Sequence, residues 1–403
     1  MDMKNKLDET YMPDKGARKK RLVVGLSGGL NSFVSAYLLK IQKYELIGVT
    51  VQLGWDQYKD DASKVLSCHM DQPQIDSIRE FCHQLGIPHM VIKASDEFKE
   101  SVVENWVASK ISGVKPNPCW SCHDLRLRLL YQKMVEVDAQ GLATGHLAKL
   151  FRQESHHTVY VHTSNDEHFD QSGILSRLPH DILDKLMLPL SDLQQKEIIK
   201  LAENFGLSST VKKVQMFECF DSKILNKEYL VQHVPARYLK PGEITDIEKN
   251  QLGDHTGVIQ FDYAHPVQTP GQKPNEPLLF SKFSFMDKKV ELAKAEHFIQ
   301  QKIFLTKCKI SEETPWIEPL RGVVKISETE FAECWIYPKN NFSALIEMET
   351  SHRILEGDYL TVLKKKGKNA KVYLTGKARY VQEEQPVAEE GKERVKVDHS
   401  RDF

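Results

Sequence analysis

An α/β fold, a parallel sheet wrapped by helices and followed by a small antiparallel β-barrel, is implied by three observations. Strand-like apolar runs and helical stretches alternate from residue 21 to about 210, the rhythm of a parallel sheet with helices on both faces. A glycine turn, Ser27-Gly28-Gly29, separates the first run from the first helix, at the carboxyl end of a strand where such sheets bind ligands. In the C-terminal third, closely spaced strand-like runs with turn signals replace the helices, as in a small barrel.

The elements follow in order. Residues 1–20 read as a polar leader ending in the basic cluster Lys15-Gly16-Ala17-Arg18-Lys19-Lys20-Arg21. Arg21–Leu26 is the first strand and Phe33–Leu39 begins the first helix. Leu46–Leu53 is the second strand, Asp76–Leu85 a helix closed by Gly86, Ile87–Ile92 the next strand, and Gly141–His146 ends another. From about residue 211 turns take over, at Lys240–Glu243, Gly253–Gly257 and Thr269–Gly271. Gly322–Ile326, Phe342–Met348, Glu356–Leu363 and Ala370–Leu374 then alternate as strands. The expected division is a leader at 1–20, a nucleotide-binding catalytic domain at 21–212, a central domain at 213–285, a barrel at 286–382 and a charged tail at 383–403.

The chain has 403 residues, 40% hydrophobic and 28% charged, with net charge -1. That balance fits a globular protein and does not by itself announce nucleic acid. No apolar run is long enough to span a bilayer, and the first residues lack a signal-peptide core, so a cytoplasmic protein is expected. Seven cysteines spread over this length suggest thiols and not a disulfide scaffold. A second basic cluster, Lys364-Lys365-Lys366-Gly367-Lys368, could meet phosphates or be a solvated hairpin loop.

The glycine turn suits a phosphate. Glycines let the backbone approach the anion, free N–H groups point at it, and the helix start adds positive potential. No Gly-Lys-Ser/Thr follows, so it is not a Walker A loop. The order Ser-Gly-Gly-x-x-Ser resembles the PP-loop ATP pyrophosphatases, which cleave ATP between the α and β phosphates. The second chemical signal is Pro116-Asn117-Pro118-Cys119-Trp120-Ser121-Cys122. Its Cys-x-x-Cys reads as metal ligands, a redox pair or paired nucleophiles, and a helix starting there favours thiolates. A zinc ribbon would need a second such pair, which is absent from the sequence. Cys219, in Phe217-Glu218-Cys219-Phe220, would alone be read as a core thiol; Cys68, Cys82, Cys308 and Cys334 have no motif around them.

Together these residues resemble the tRNA-specific 2-thiouridylase family over nearly the whole chain. The resemblance runs through the Ser-Gly-Gly loop, Leu85-Gly86-Ile87-Pro88-His89, Pro116–Cys122, Ala143-Thr144-Gly145-His146, Asp170-Gln171-Ser172, Leu188-Pro189-Leu190, Lys196-Glu197-Ile198, Cys219-Phe220 and Leu252–Gly257. It implies a PP-loop domain of the adenine nucleotide α hydrolase type, a central domain facing tRNA and a C-terminal barrel. It also implies ATP-dependent sulfur transfer to C2 of the wobble uridine, with ATP and Mg2+ required. Cys219 corresponds to the cysteine that carries a persulfide, and Cys122 to its partner, which can close a disulfide with it. Leu26, Ser27, Gly28, Gly29, Asn31, Ser32, Leu53, Gly145 and His146 fall to ATP. Lys149, Asp170 and Gln171 fall to RNA. The implied partners are tRNA and a sulfur-relay protein or cysteine desulfurase, with no membrane and a monomer as the expected state.

Several positions depart from the family pattern. Asn31 stands for Asp, Phe33 for a small residue, His123 for Asn, and Phe217-Glu218 for Gly-Ile. Cys119 occupies a position that is often Asp, where it either assists Cys122 or joins Cys122 and Cys219 as ligands of an iron–sulfur cluster. The basic segment expected in the central domain is replaced by Phe261-Asp262-Tyr263-Ala264-His265-Pro266. A repurposed paralogue that binds tRNA or a nucleotide without thiolating it is therefore the alternative; a PP-loop enzyme inserting sulfur elsewhere is more distant.

Overall fold

The computed structural model of the chain describes residues 20–53, 70, 72–153, 158–207, 231, 234–270, 276–284, 287–311 and 318–381. The first sheet is formed by β1 (Arg21–Gly25), β2 (Glu45–Gln52), β3 (His89–Lys93), β4 (Gly141–Ala143) and β7 (Leu186–Met187). All neighbours are parallel, in the order β3-β2-β1-β4-β7. A central strand covered on both faces reads as a continuous apolar run and not an alternating one, and Leu22, Val23 and Val24 of β1 are each at most 1% exposed. Leu22 and Val24 face the core under α1 (Leu30–Ile41) and α2 (Gln72–Gln84); Val23 faces the other core.

That other face is covered by α3 (Ser95–Phe98), a π-helical turn at Lys99–Val103, α4 (Glu104–Ile111) and the long α5 (Pro118–Glu136). Proline at the first turn of α5 suits a helix start, because its missing N–H is one that would go unbonded there. A hairpin that the sequence reading lacked, β5 (Lys149–Gln153) and β6 (Thr158–His162), leaves the sheet after β4. Then come α6 (Ser172–Leu175), α7 (His180–Lys185) and α8 (Gln195–Asn204). A capping box opens α8: the Gln194 side chain and the Glu197 carboxylate each bond the other's backbone N–H.

The second sheet holds β8 (Gly242–Asp246), β9 (Gln251–His255), β10 (Pro266–Val267), β11 (Leu278–Ser284) and β12 (Lys289–Ala293), ordered β10-β11-β12-β8-β9. β11 and β12, on either side of residue 285, pair with each other, and β12 pairs with β8. The closed barrel follows: β13 (Ile299–Ile310), β14 (Leu320–Lys325), β15 (Phe331–Asn340), β16 (Ser343–Arg353), β17 (Tyr359–Leu363) and β18 (Val372–Tyr380), closing as β13-β16-β15-β14-β17-β18 with antiparallel neighbours throughout. Period-two patterning is plain in β15, where Ala332, Cys334 and Ile336 point inward and Glu333 and Trp335 outward. Among the described residues no helix is long and apolar enough to cross a membrane.

Candidate active site

The turn after β1 has the geometry of an anion cradle. Gly28 takes φ +73°, a conformation that favours glycine. The Ser32 hydroxyl donates to the Gly29 carbonyl at 2.7 Å and accepts the Ser27 N–H at 3.3 Å, drawing the loop around the start of α1. Gly29, the N-cap, has no side chain to occupy the first N–H groups of α1, which leaves that end suited to an anion. Phe33 does not obstruct the loop: it is 1% exposed and stacks on Phe81 at 4.3 Å. Leu26 and Leu53 are buried, and Leu26 spends its N–H on the Val49 carbonyl and its C=O on the Thr50 hydroxyl.

Asn31 is engaged by a residue that no motif suggested. Its Nδ2 donates to Gln195 Oε1 at 3.2 Å, and Gln195 Nε2 donates back to Asn31 Oδ1 at 3.1 Å. Gln195 is buried, and its backbone N–H is held by Asp166 Oδ2 at 3.0 Å. The reciprocal amides fasten the phosphate turn to α8 across 164 residues of sequence.

Gly145 rests on the same turn. A β-carbon there would lie 2.7 Å from the Asn31 carbonyl carbon and 2.8 Å from Ser32 N. His146 follows, with Nδ1 bonded to the Thr144 hydroxyl at 2.9 Å and Nε2 to His123 Nδ1 at 3.1 Å. Burial lowers the His146 pKa to about 4, so its imidazole is neutral near pH 7 and bonds as one donor and one acceptor. His123 neighbours Cys122 on α5. The glycine turn, the second turn after β4 and the thiol helix are thus joined.

Cys119 and Cys122 sit in the first turns of α5, one turn apart on one side. Cys122 is 6% exposed, and its sulfur accepts a hydrogen bond from Arg126 Nε at 3.5 Å. The same guanidinium donates to the Val51 carbonyl at 3.3 Å. The approach to the helix is anchored by the barrel. Asn117 Nδ2 donates to the Gly357 carbonyl at 2.7 Å, Lys115 N to the Glu356 carbonyl at 2.9 Å, and Lys115 Nζ pairs with Asp358 at 2.7 Å. Gly357, at φ +103°, comes so close that a β-carbon would meet Lys115 O at 2.6 Å.

A cleft of about 740 Å3 opens between this approach, the second sheet and the barrel, lined among others by Cys119, Trp120, Lys115, Asp262, Tyr263 and Lys325. Trp120 stacks on Tyr359 at 4.8 Å. Asp262 pairs with Lys110 and Tyr263 is buried, so the segment that replaces the expected basic one forms a wall of the cleft. Of the residues the resemblance gives to RNA, Asp170 and Gln171 line the cleft while holding the fold. The Asp170 side chain is 2% exposed and pairs with Lys325 at 3.0 Å, accepting also from Ser172 and Ser164. Gln171 Oε1 accepts the Leu147 N–H at 3.0 Å. Lys149 pairs with Asp192 at 2.8 Å.

Cys219, like Cys68, lies outside the described residues. No disulfide joins two described cysteines, and among the described residues no group of three His, Cys, Asp or Glu could hold a metal ion. Cys82, Cys308 and Cys334 match their motif-free reading: burial pushes their thiols up to about 12, 11 and 12. Sequence reading missed Arg126, which the i,i+4 spacing from Cys122 could have flagged. It also missed Gln195, for which no local signal exists.

Comparison with known proteins matches residues 20–223 to the tRNA methyl transferase HUP domain. A tRNA-specific 2-thiouridylase MnmA of Clostridium beijerinckii is 33% identical over 244 residues, covering 60% of this chain and 67% of the relative. MnmA 1 of a Thermoanaerobacter species is 32% identical over 247 residues, covering 60% and 67%. Among solved structures, the U34-tRNA thiolase NcsA of Methanococcus maripaludis with its 4Fe-4S cluster is 23% identical, covers 58% of this chain and 72% of its own, and has a TM-score of 0.36. A score that low supports no inference about this chain.

Proposed function

Because this chain belongs to the family of the tRNA methyl transferase HUP domain and the MnmA proteins, we propose that it is an ATP-dependent tRNA sulfurtransferase acting on C2 of the wobble uridine. The observation that carries this reading is the His146–His123 hydrogen bond, with Gly145 packed on the glycine turn. Through these contacts a phosphate cradle and a Cys-x-x-Cys helix make one site, as activation and sulfur transfer on one atom require.

In this reading the uridine C2 oxygen attacks the α-phosphorus of ATP, the bond to the bridging α,β oxygen breaks, and pyrophosphate leaves. Ser27, Gly28, Gly29 and Ser32 would hold the phosphates, where Mg2+ bound with the nucleotide would supply neutralising charge for the leaving group. Asn31, a neutral amide already bonded to Gln195, contributes position and not charge. Cys219 bears the persulfide received from a sulfur-relay protein or cysteine desulfurase. The Cys122 thiolate attacks the inner sulfur, forming a Cys122–Cys219 disulfide and releasing hydrosulfide. Hydrosulfide adds at C2, AMP leaves with the former oxygen, and a cellular thiol later reduces the disulfide. The Arg126 N–H at the Cys122 sulfur suits an atom that carries charge in this exchange. The uridine must leave its stack to reach the thiols, and the cleft beside Cys119 and Trp120 has room for it.

The division of labour assigned with this reading is 21–212 for chemistry, 213–285 for the tRNA-facing region and 286–382 for the barrel, with sheet pairing favouring a junction between Ala293 and Ile299. A cytoplasmic monomer goes with it. An iron–sulfur design would instead need Cys219 beside Cys119 and Cys122 as the three cysteine ligands of the cluster. The second reading, a repurposed paralogue, is favoured by one observation, the charge-free Asn31–Gln195 pair in the phosphate turn.

Anaerobic protein mixed with ATP, magnesium, sulfide and unmodified tRNA tests the choice, with nucleosides read by mass spectrometry. ATP-dependent 2-thiouridine, lost in Cys122→Ser and in Cys219→Ser, is expected. tRNA binding without thiolation, while a family member with Asp in the loop thiolates under the same conditions, would favour the paralogue.

A further inference from the structure

The basic stretch near the C-terminus is a fixed structural element. Lys364 to Lys371 holds five lysines in eight residues and no acid. It forms the turn between β17 and β18, and Lys364, Lys365, Lys366 and Lys368 are exposed. Gly367 at φ +104° and Asn369 at φ +55° shape the turn. The hairpin of the first half of the chain clamps it. Thr163 Oγ1 donates to the Gly367 carbonyl at 2.9 Å and accepts the Ala370 N–H at 2.8 Å, and Thr163 N donates to the Ala370 carbonyl at 2.9 Å. His162 Nδ1 meets the Asn369 carbonyl at 3.1 Å. These contacts engage the turn's backbone and hold its position without using the exposed ammonium groups of Lys364, Lys365 and Lys368, while the Lys366 ammonium lies over the Phe331 ring at 5.4 Å.

Aromatic groups lie among the charges. Phe151 on β5 is 48% exposed and packs on the His162 ring at 4.2 Å, and the Lys371 ammonium sits over the Tyr160 ring at 3.5 Å. The local potential is positive: after burial itself, Lys371, Lys149 and Lys365 all lower the His162 pKa, against the bond to the Asn369 carbonyl. The turn is also continuous with the cleft. β17 starts at Tyr359, which stacks on Trp120 and lines the cleft, and ends one residue before Lys364. Five strand residues span about 17 Å, a distance covering several phosphates of a nucleic acid strand.

We infer that the Lys364–Lys371 turn, with Phe151 beside it, grips the phosphate backbone of the tRNA arm leading away from the nucleotide held in the cleft. Lysines at fixed spacing neutralise phosphates without reading bases, and exposed rings offer stacking faces for unpaired bases. The inference rests on the reading of a tRNA substrate. It also gives the chain a basic surface in place of the one missing from the central region.

The test is tRNA binding by the full chain across a KCl series, for wild type and for Lys365→Ala/Lys366→Ala/Lys368→Ala. Removing three phosphate contacts should make the slope of log affinity against log salt shallower by roughly two and weaken binding at least about tenfold at low salt. The KM for tRNA should rise. Thermal midpoints control for folding, and the triple Lys→Arg variant, which keeps the charges, should bind like wild type. Unchanged affinity and slope in the alanine variant would overturn the inference. So would a loss of binding to phosphatidylserine vesicles with tRNA binding intact. If wild type itself shows no salt-dependent tRNA binding, the substrate reading fails and this surface fails with it.

Discussion

Replacing Asn31 by Asp asks whether the phosphate turn is held by amide complementarity. In the native pair each side chain donates once and accepts once, at 3.2 and 3.1 Å. A carboxylate can still accept from Gln195 Nε2, but its other oxygen then faces Gln195 Oε1, acceptor against acceptor. The lost bond and the stranded acceptor on a residue 4% exposed cost about 1–3 kcal/mol. The first-turn position of residue 31 returns about 0.5 kcal/mol to an anion. A net destabilisation of about 0.5–2.5 kcal/mol follows, read as a lower urea midpoint at unchanged slope. Adding Gln195→Lys turns the clash into a carboxylate–ammonium pair, so the double variant should recover at least about 1 kcal/mol relative to the sum of the singles. Pyrophosphate release reports on function: the carboxylate restores a charge suited to magnesium, so Asn31→Asp should raise ATP consumption, and the double variant should fall below it. Asn31→Asp as stable as wild type, or strictly additive effects in the cycle, would refute the pairing argument.

The remaining expectations concern separate parts of the site. Gly145→Ala puts a methyl 2.7–2.8 Å from the Asn31 and Ser32 backbone, which cannot yield as a side chain would; ATP affinity should fall at least about tenfold, equivalent to about 1.4 kcal/mol, and wild-type binding by equilibrium dialysis would contradict the close approach. His146 has a folded pKa near 4, below the ordinary 6.5, so the unfolded chain takes up the proton first. Its stability contribution is full above pH 6.5 and declines toward pH 4 by about 1.4 kcal/mol per unit; wild type should lose about 2 kcal/mol more than His146→Gln between pH 6.5 and 5 in denaturant titrations. Lys325→Met leaves the nearly buried Asp170 carboxylate unpaired and should destabilise by about 3 kcal/mol; an undiminished thermal midpoint with weakened tRNA binding would instead give Asp170 to RNA. Native alkylation at pH 8 should spare Cys82, Cys308 and Cys334, whose thiols lie at about 11 or above, while Cys119 is modified; labelling of all equally, read by peptide mass spectrometry, would contradict the burial assignment.

The parts of the fold legible in the sequence are those where local chemistry dictates local shape. A glycine turn between an apolar strand and a helix, or a Pro-Asn-Pro before a helix of cysteines, carries its geometry within a few residues, and both appear as read. The barrel was legible through its closely spaced strand-like runs and turn signals, although β15, which points Cys334 inward and so pushes its thiol up to about 12, was not among the runs read. The β5–β6 hairpin was not: Lys149-Leu150-Phe151-Arg152-Gln153 has neither one apolar face nor a turn signal, and its order comes from Arg152 reaching the Leu186 carbonyl at 2.6 Å and from the barrel turn beyond. Gln195 was illegible for the same reason, since a glutamine near a helix start matters only once Asn31 is folded against it. Asp170 belonged to a recognisable motif, but its burial depends on Lys325, 155 residues away. Motif resemblance located the residue without telling whether it faces a ligand or the fold.

The anchorage of the cysteine approach by Glu356, Gly357 and Asp358 has a consequence for biosynthesis. The ribosome makes Cys119 and Cys122 well before the barrel corner that fixes Lys115 and Asn117. At about 5–20 residues per second, the intervening chain takes roughly 12–50 s to make. Through that interval the approach to the nascent thiol helix lacks its contacts with Glu356, Gly357 and Asp358. Under the proposed function, competence for sulfur transfer therefore waits until the barrel corner at Glu356–Asp358 has been made.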